Sequence, residues 1–210
     1  MTVLKQIFEE AQAQSLPEVI AVVAAILYLG FAIREKVVCW LFAAISTAIY
    51  AWLFIEAKLY MESVLNVFYL AMAGYGWYVW TSGRDDSHAR PVVVWPPKTH
   101  VVAITAIVIL SCASGYYLSN YSDAAFPYID SLTTWSAIWA TFLVARKVLE
   151  NWWYWLLIDI ASVFIYWSRD LQLTSALFVI YVIMIPIGLI SWTKSMHTQA
   201  IHTQNNSELR

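Results

Sequence analysis

Asp159 stands about halfway along a hydrophobic stretch, with Asn151, Trp155, Ser162 and Tyr166 spaced around it at steps of three and four residues. On a helix those steps fall on one face, so the group forms a stripe of hydrogen-bonding and aromatic side chains. A carboxylate at that depth of a membrane costs about 2.5–3.5 kcal/mol on the insertion scale. It must be paired, protonated or wet, and no Lys or Arg stands at comparable depth in any apolar stretch. Ionisable groups inside a membrane mark substrate or ion pathways; the plainer alternative is a structural carboxyl bonded to Ser, Thr or Tyr of neighbouring helices. A second stripe runs through Glu62, Asn66, Tyr69, Gly76, Trp77 and Trp80. Glu62 lies near its outer end and reads equally well as an interfacial residue. Aromatic faces beside carboxyl groups hold flat cations, because the ring quadrupole attracts positive charge. The chemistry is therefore recognition of a flat polar solute. The candidate substrate-binding set is Glu62, Asn66, Tyr69 and Trp77 with Asn151, Trp155, Asp159 and Tyr166, extended by the aromatics Tyr50 and Trp139.

These stripes need membrane helices to hold them. Of the 210 residues, 61% are apolar and 12% charged, and the mean hydropathy is +0.62. Soluble domains carry about 25% charged residues, so the composition is that of an integral membrane protein. Seven apolar spans are legible: Pro17–Ile33, Val37–Ile55, Leu59–Trp80, Val101–Leu118, Pro127–Ala145, Val148–Trp167 and Leu171–Thr193. Each approaches the roughly 20 residues that cross a bilayer core, and no alternating strand pattern is present. An all-α bundle of seven transmembrane helices follows. Residues 1–16 place acids before any apolar run, the wrong order for a cleavable signal peptide.

Glu35, Trp40, Trp52 and Trp77 recur as Glu150, Trp155, Trp167 and Trp192 at a constant interval of 115 residues. The two stretches also share a hydropathy profile. Residues 17–80 and 127–193 thus read as two three-helix repeats, joined by a polar cytoplasmic link (81–100) and a connector helix (101–118). The connector restores the orientation of the second copy, giving parallel repeats in a 3+1+3, sugar-facilitator-like plan. Lys and Arg lie nine to three on the side that holds the link and the C-terminus. The positive-inside rule then puts the 1–16 segment outside and the 194–210 tail in the cytoplasm, and the tail from Met196 reads as disordered. Trp80, Trp152, Trp153 and Trp192, at span ends, are natural members of an interfacial belt. Gly74, Gly76, Pro186 and Gly188 supply either backbone freedom or close helix packing. Cys39 and Cys112 read as small packing residues.

Other classes fit poorly. The histidines, His88, His100, His197 and His202, fall in loops, at a span edge or in the tail, which argues against a membrane enzyme. No nucleotide-binding, nucleic-acid or metal-ligand spacing is present, so no cofactor, metal or nucleic-acid partner is expected. A retinal protein needs a lysine midway along span 7, where only Lys194 stands, at or beyond its end.

Leu59-Tyr60-Met61-Glu62-Ser63-Val64-Leu65-Asn66-Val67-Phe68-Tyr69, with Tyr75-Gly76-Trp77-Tyr78-Val79-Trp80 following, resembles the third-helix motif of PnuC-type vitamin transporters. So does Arg146-Lys147 with Glu150-Asn151-Trp152, Trp155 and Asp159. The resemblance covers roughly residues 17–193. It implies facilitated diffusion (uniport) of a water-soluble, non-phosphorylated vitamin across the bacterial inner membrane, trapped by a cytoplasmic kinase; a homo-oligomer is compatible with it. Nicotinamide riboside is that family's best-known substrate, and other branches are assigned to thiamine or riboflavin. The resemblance also implies Gln at Asn66 and an amide at Asp159 in nicotinamide riboside members. A carboxyl suits the amino group of thiamine, so the altered positions look like the thiamine branch, PnuT. Thiamine is the first expectation, nicotinamide riboside the second, and a sugar facilitator of related architecture the alternative outside the vitamins.

Overall fold

A computed structural model describes residue 7 and residues 13–56, 60–82, 90–122, 126–168 and 171–208, the backbone alone at 60–62 and 202–208. Seven long helices make up these residues: α1 Leu16–Ile33, α2 Cys39–Glu56, α3 Tyr60–Thr81, α4 Pro97–Tyr121, α5 Pro127–Ala145, α6 Asn151–Ser168 and α7 Gln172–Glu208. Local chemistry sets their starts. Glu18 accepts a hydrogen bond from the Ser15 N–H at 2.6 Å, which occupies a donor the helix cannot. Proline stands in the first turn of α1, α4 and α5, where its missing N–H costs nothing.

α1, α2, α4 and the Gln172–Ile201 stretch of α7 are long and apolar enough to cross a membrane by length and composition. α3, α5 and α6 are less apolar, and they are the helices that bring Asn66, Thr133, Thr134, Asn151, Asp159 and Ser162 to an internal cavity. Their polar residues face inward, so helix-averaged hydropathy understates how apolar their outer faces are.

The two halves repeat, at an interval of 112 residues. α1 ends at Arg34, and Glu35 follows with φ 54°; α5 ends at Arg146, and Lys147 follows with φ 55°. In each turn the next N–H reaches back five residues, Lys36 to Phe31 and Val148 to Leu143. This is a helix stop in which the left-handed residue is usually glycine. Ser63 donates to Ala51 O at 2.8 Å and Ser175 to Val163 O at 3.1 Å, tying the last two helices of each half. Trp40 meets Trp80 edge-on at 5.5 Å, and Trp152 meets Trp192 edge-on at 5.3 Å. The interval of 115 among identical residues is therefore not the structural register. By environment Trp152, and not Trp155, corresponds to Trp40. Twelve tryptophans produce chance identities, whereas equivalent contacts require equivalent positions.

Gly76 and Gly188 serve close packing: a Cβ at either would collide with the ring of Trp40 or Trp152. Gly74 faces open space. Trp80, Trp152 and Trp192 do not form an interfacial belt; all three are buried in the core between the halves, and only Trp153 is exposed. For Trp80 and Trp192 a facing carbonyl takes the indole N–H. Trp80 Nε1 donates to Ala145 O at 3.1 Å and Trp192 Nε1 to Ala32 O at 3.0 Å. The C-terminal ends of α1, α3 and α5 thus gather on one side with the Trp192 level of α7. Val93 of the α3–α4 link joins them by exchanging backbone hydrogen bonds with Lys147 and Leu149 at 3.0 and 2.8 Å.

Cys39 is buried as expected, whereas Cys112 is exposed on the outer face of α4. The tail expected to be disordered from Met196 is helical through Glu208. Gln199 explains the docking of its first part: its side chain accepts from the Val92 N–H at 3.2 Å and donates to Ser195 Oγ at 3.1 Å.

Candidate functional site

Five helices, α1, α3, α5, α6 and α7, enclose a cavity of about 430 Å³. α6 contributes the longest face, with Asn151, Trp155, Asp159, Ser162 and Tyr166 all on its lining. Their spacing by three and four residues turns one side of α6 inward over its whole length. α3 adds Asn66 and Tyr69, α5 adds Thr133 and Thr134, α1 adds Tyr28, and α7 adds Phe178 and Tyr181.

Of the residues singled out in the sequence, Asn66, Tyr69, Asn151, Trp155, Asp159 and Tyr166 are thus brought together. Trp77 is not: it is 44% exposed on the outer face of α3, one step round the helix from the inward stripe. Trp139 lines a separate hollow of about 850 Å³ between α3, α4 and α5, packed against Trp95 at 6.0 Å. Tyr50 stacks on Phe54 at 5.7 Å and does not line the cavity. The Glu62 side chain lies outside the described residues.

Tyr28, Tyr181, Phe178 and the Thr133–Thr134 pair were missed. Tyr181 had a signal, since it stands 112 residues after Tyr69 and both line the cavity. Tyr28 sits in an otherwise apolar helix, where nothing distinguishes it from a core aromatic.

Asp159 is buried on the cavity wall. The ion pairs among the described residues are Lys147–Glu35 and His100–Glu150, and Asp159 takes part in neither. Asn151 is fully buried, and its Nδ2 donates to Val148 O at 2.7 Å while its Oδ1 has no partner in the protein. Tyr28, Tyr69, Trp155, Tyr166, Phe178 and Tyr181 supply aromatic surface from four helices. The site offers a carboxyl group, amides, hydroxyls and ring faces. It can hold a flat, donor-bearing, preferably cationic solute.

A helical bundle that crosses a membrane and closes such a cavity between its two halves has the build of a small-molecule transporter. The sequence says which kind. The chain belongs to the nicotinamide mononucleotide transporter family, whose profile matches residues 15–194. It is 25% identical over 203 residues to the nicotinamide riboside transporter PnuC of Escherichia coli K12, covering 85% of each chain. It is 25% identical over 190 residues to the PnuC of Neisseria mucosa, covering 83% of this chain and 71% of that one. It is also 27% identical over 128 residues to the riboflavin/roseoflavin transporter RibM of Streptomyces davaonensis, covering 59% of each. The crystal structure of the vitamin B3 transporter PnuC shares the fold, with a TM-score of 0.70 at 21% identity over 94% of this chain and 91% of the other. The protein is a multi-pass membrane transporter of this family.

Proposed function

We propose that the protein carries nicotinamide riboside across the bacterial inner membrane by facilitated diffusion, a cytoplasmic kinase trapping what enters. One observation carries the reading: Asp159, which forms no ion pair among the described residues, faces a cavity walled by seven aromatic residues. A positively charged nicotinamide ring supplies the missing charge and stacks on those faces. The relatives named for nicotinamide riboside support this substrate over thiamine, the first expectation from the sequence. The amino-donor argument for thiamine loses its force, because the nicotinamide carboxamide carries such a donor too. Riboflavin is the further candidate, on the RibM resemblance, but its neutral ring gives Asp159 no counter-charge.

The transport path in this reading runs between two parallel three-helix repeats, α1–α3 and α5–α7, with α4 as connector. All seven helices cross the membrane, with the amino-terminal segment outside and the tail of α7 in the cytoplasm. The recurrence of contacts at 112 residues and the bias of Lys and Arg support that arrangement.

Calorimetric titration of the purified protein with nicotinamide riboside, thiamine and riboflavin, repeated on Asp159→Asn, tests the substrate. Nicotinamide riboside should bind tightest and lose about tenfold or more in the variant, the worth of one charge-assisted contact. Tighter thiamine binding, lost in the variant, would return the protein to the thiamine branch. In energised vesicles without a kinase, internal substrate rising well above external would defeat the uniport mechanism.

A further inference from the structure

The hollow of about 850 Å³ between α3, α4 and α5 shares no residue with the central cavity. It exists because close packing joins α4 to α5 alone among the described helices, which leaves α3 and α4 apart. Phe68 and Met72 of α3, Val102 and Leu110 of α4, and Ile138 and Phe142 of α5 line it. α4 is long and apolar enough to cross a membrane, and Val102 and Leu110 are exposed on it. The hollow therefore stands open to the lipid tails, and no part of the described chain fills it.

One end of the groove is not apolar. Lys98 and Thr99, in the first turn of α4, line it where the α3–α4 link enters the helix. Leu110 stands twelve residues further along α4, roughly 18 Å away. That is close to the depth of one leaflet, half of a hydrocarbon core about 30 Å thick. The charge at this end is open. Lys98 takes part in neither ion pair among the described residues. Glu150, the carboxylate tied to this turn, accepts from the Trp95 N–H at 3.4 Å and lies 3.9 Å from His100. Pro96 gives α4 no side-chain cap, so the positive end of the helix dipole adds to the ammonium group.

We propose that this hollow is a binding site for an anionic phospholipid, with the phosphate on Lys98 and Thr99 and an acyl chain laid along the groove to Leu110. A lysine stem lies along apolar surface while its head reaches the headgroup level. Basic pockets between membrane helices suit anionic headgroups for that reason. Lys98 selects a lipid over a second copy of the chain, because a helix face apolar enough to fill the groove offers an ammonium group nothing. The seated lipid touches both halves, since α3 belongs to one and α5 to the other. Tyr75 of α3 stacks on Phe142 of α5 at 6.3 Å at the border of the hollow, so the lipid seals the seam along which the halves meet. The inference goes beyond the transport reading above: it rests on α3, α4 and α5 crossing the bilayer as placed there, and it is independent of the solute carried.

The test is native mass spectrometry of the full-length protein in detergent, titrated with phosphatidylglycerol or with phosphatidylethanolamine of the same acyl chains. The first phosphatidylglycerol should be held about tenfold tighter than the first phosphatidylethanolamine, the worth of one charge-assisted contact. Lys98→Gln should bring that preference down to about twofold and leave phosphatidylethanolamine binding unchanged. Ala103→Phe, which puts a ring into the groove, should weaken both lipids by about tenfold. Equal binding of the two lipids by the unaltered protein, a preference that survives Lys98→Gln, or binding untouched by Ala103→Phe overturns the site. Oligomers that retain no lipid would give the hollow to a second copy and overturn it too. Lys98→Gln, at an exposed position, decides alone if Ala103→Phe does not fold. Nicotinamide riboside titrated into the same preparations keeps the two readings apart. If it binds while the lipids show no preference, the lipid site alone falls; if it fails to bind while the Lys98-dependent preference holds, the lipid site stands and the proposed substrate falls.

Discussion

Glu35 and Lys147 occupy equivalent places in the two halves, 112 residues apart, and their side chains meet at 2.8 Å. Each sits in the left-handed backbone region just after a helix end, where a side chain costs about 1–2 kcal/mol relative to glycine. Lys147 is buried and also lies over the Trp80 ring at 4.7 Å. The two strained turns thus join the halves through one ion pair, flanked by the reciprocal indole bonds of Trp80 and Trp192. Together these contacts clasp the bundle beneath the Asn151 end of the cavity.

Glu35→Gln should destabilise the protein by about 3–5 kcal/mol, because it leaves a buried ammonium group unpaired. The exchanged pair, Glu35→Lys with Lys147→Glu, should recover most of that loss. Thermal melting in detergent measures both, and a Glu35→Gln variant that melts like the parent would show that the pair is not structural.

Opening the clasp should open the cavity. In a background of Cys39→Ser and Cys112→Ser, a cysteine placed at Ala137 on the cavity wall reports access. With the clasp intact, an impermeant thiol reagent should label it poorly from the clasp side. Adding Glu35→Gln and Trp192→Phe should raise the labelling rate from that side by about tenfold, since a loss of 1.4 kcal/mol in closure shifts the equilibrium tenfold. Unchanged labelling would mean that these contacts hold the fold and do not close the path.

The glycines divide by what faces them. Gly76→Ala should cost about 1–3 kcal/mol, as overpacking does, since its Cβ meets the Trp40 ring. Gly74→Ala, two residues earlier and open, should be neutral or stabilising by up to about 1 kcal/mol through helix propensity. Equal effects in a denaturation series would contradict the packing role.

The aromatics divide the same way. Trp155→Ala should weaken substrate binding by about 1–3 kcal/mol, the range for stacking of a base on an aromatic side chain. Trp77→Ala, at an exposed site on the outer face of α3, should leave affinity within about twofold. Loss of binding on removing Trp77 would mean that the substrate path lies elsewhere.

Most of the helices and part of the candidate cavity were legible in the sequence. The seven apolar spans matched the seven helices to within a few residues at most ends, because burial in lipid demands long apolar runs. The α6 stripe was legible because 3.6-residue periodicity turns one inward face into a spacing pattern, and Asp159 because a carboxyl inside an apolar span is costly wherever it points. The choice between thiamine and nicotinamide riboside was not legible, because both are flat cations that carry an amino donor.

Some things only the packed bundle decided. Trp77, Trp80 and Trp192 are alike in sequence context, yet one lies on the outer face and two are buried with their N–H groups on carbonyls of other helices. The true repeat interval was hidden for a similar reason: Glu35 and Lys147 are equivalent by backbone and position but opposite in charge, so a search for identical residues passes over the pair that holds the halves together. Hydropathy is a property of each segment taken alone and is written in the chain. Which faces meet across an axis depends on helices more than a hundred residues apart, and only their packing fixes it.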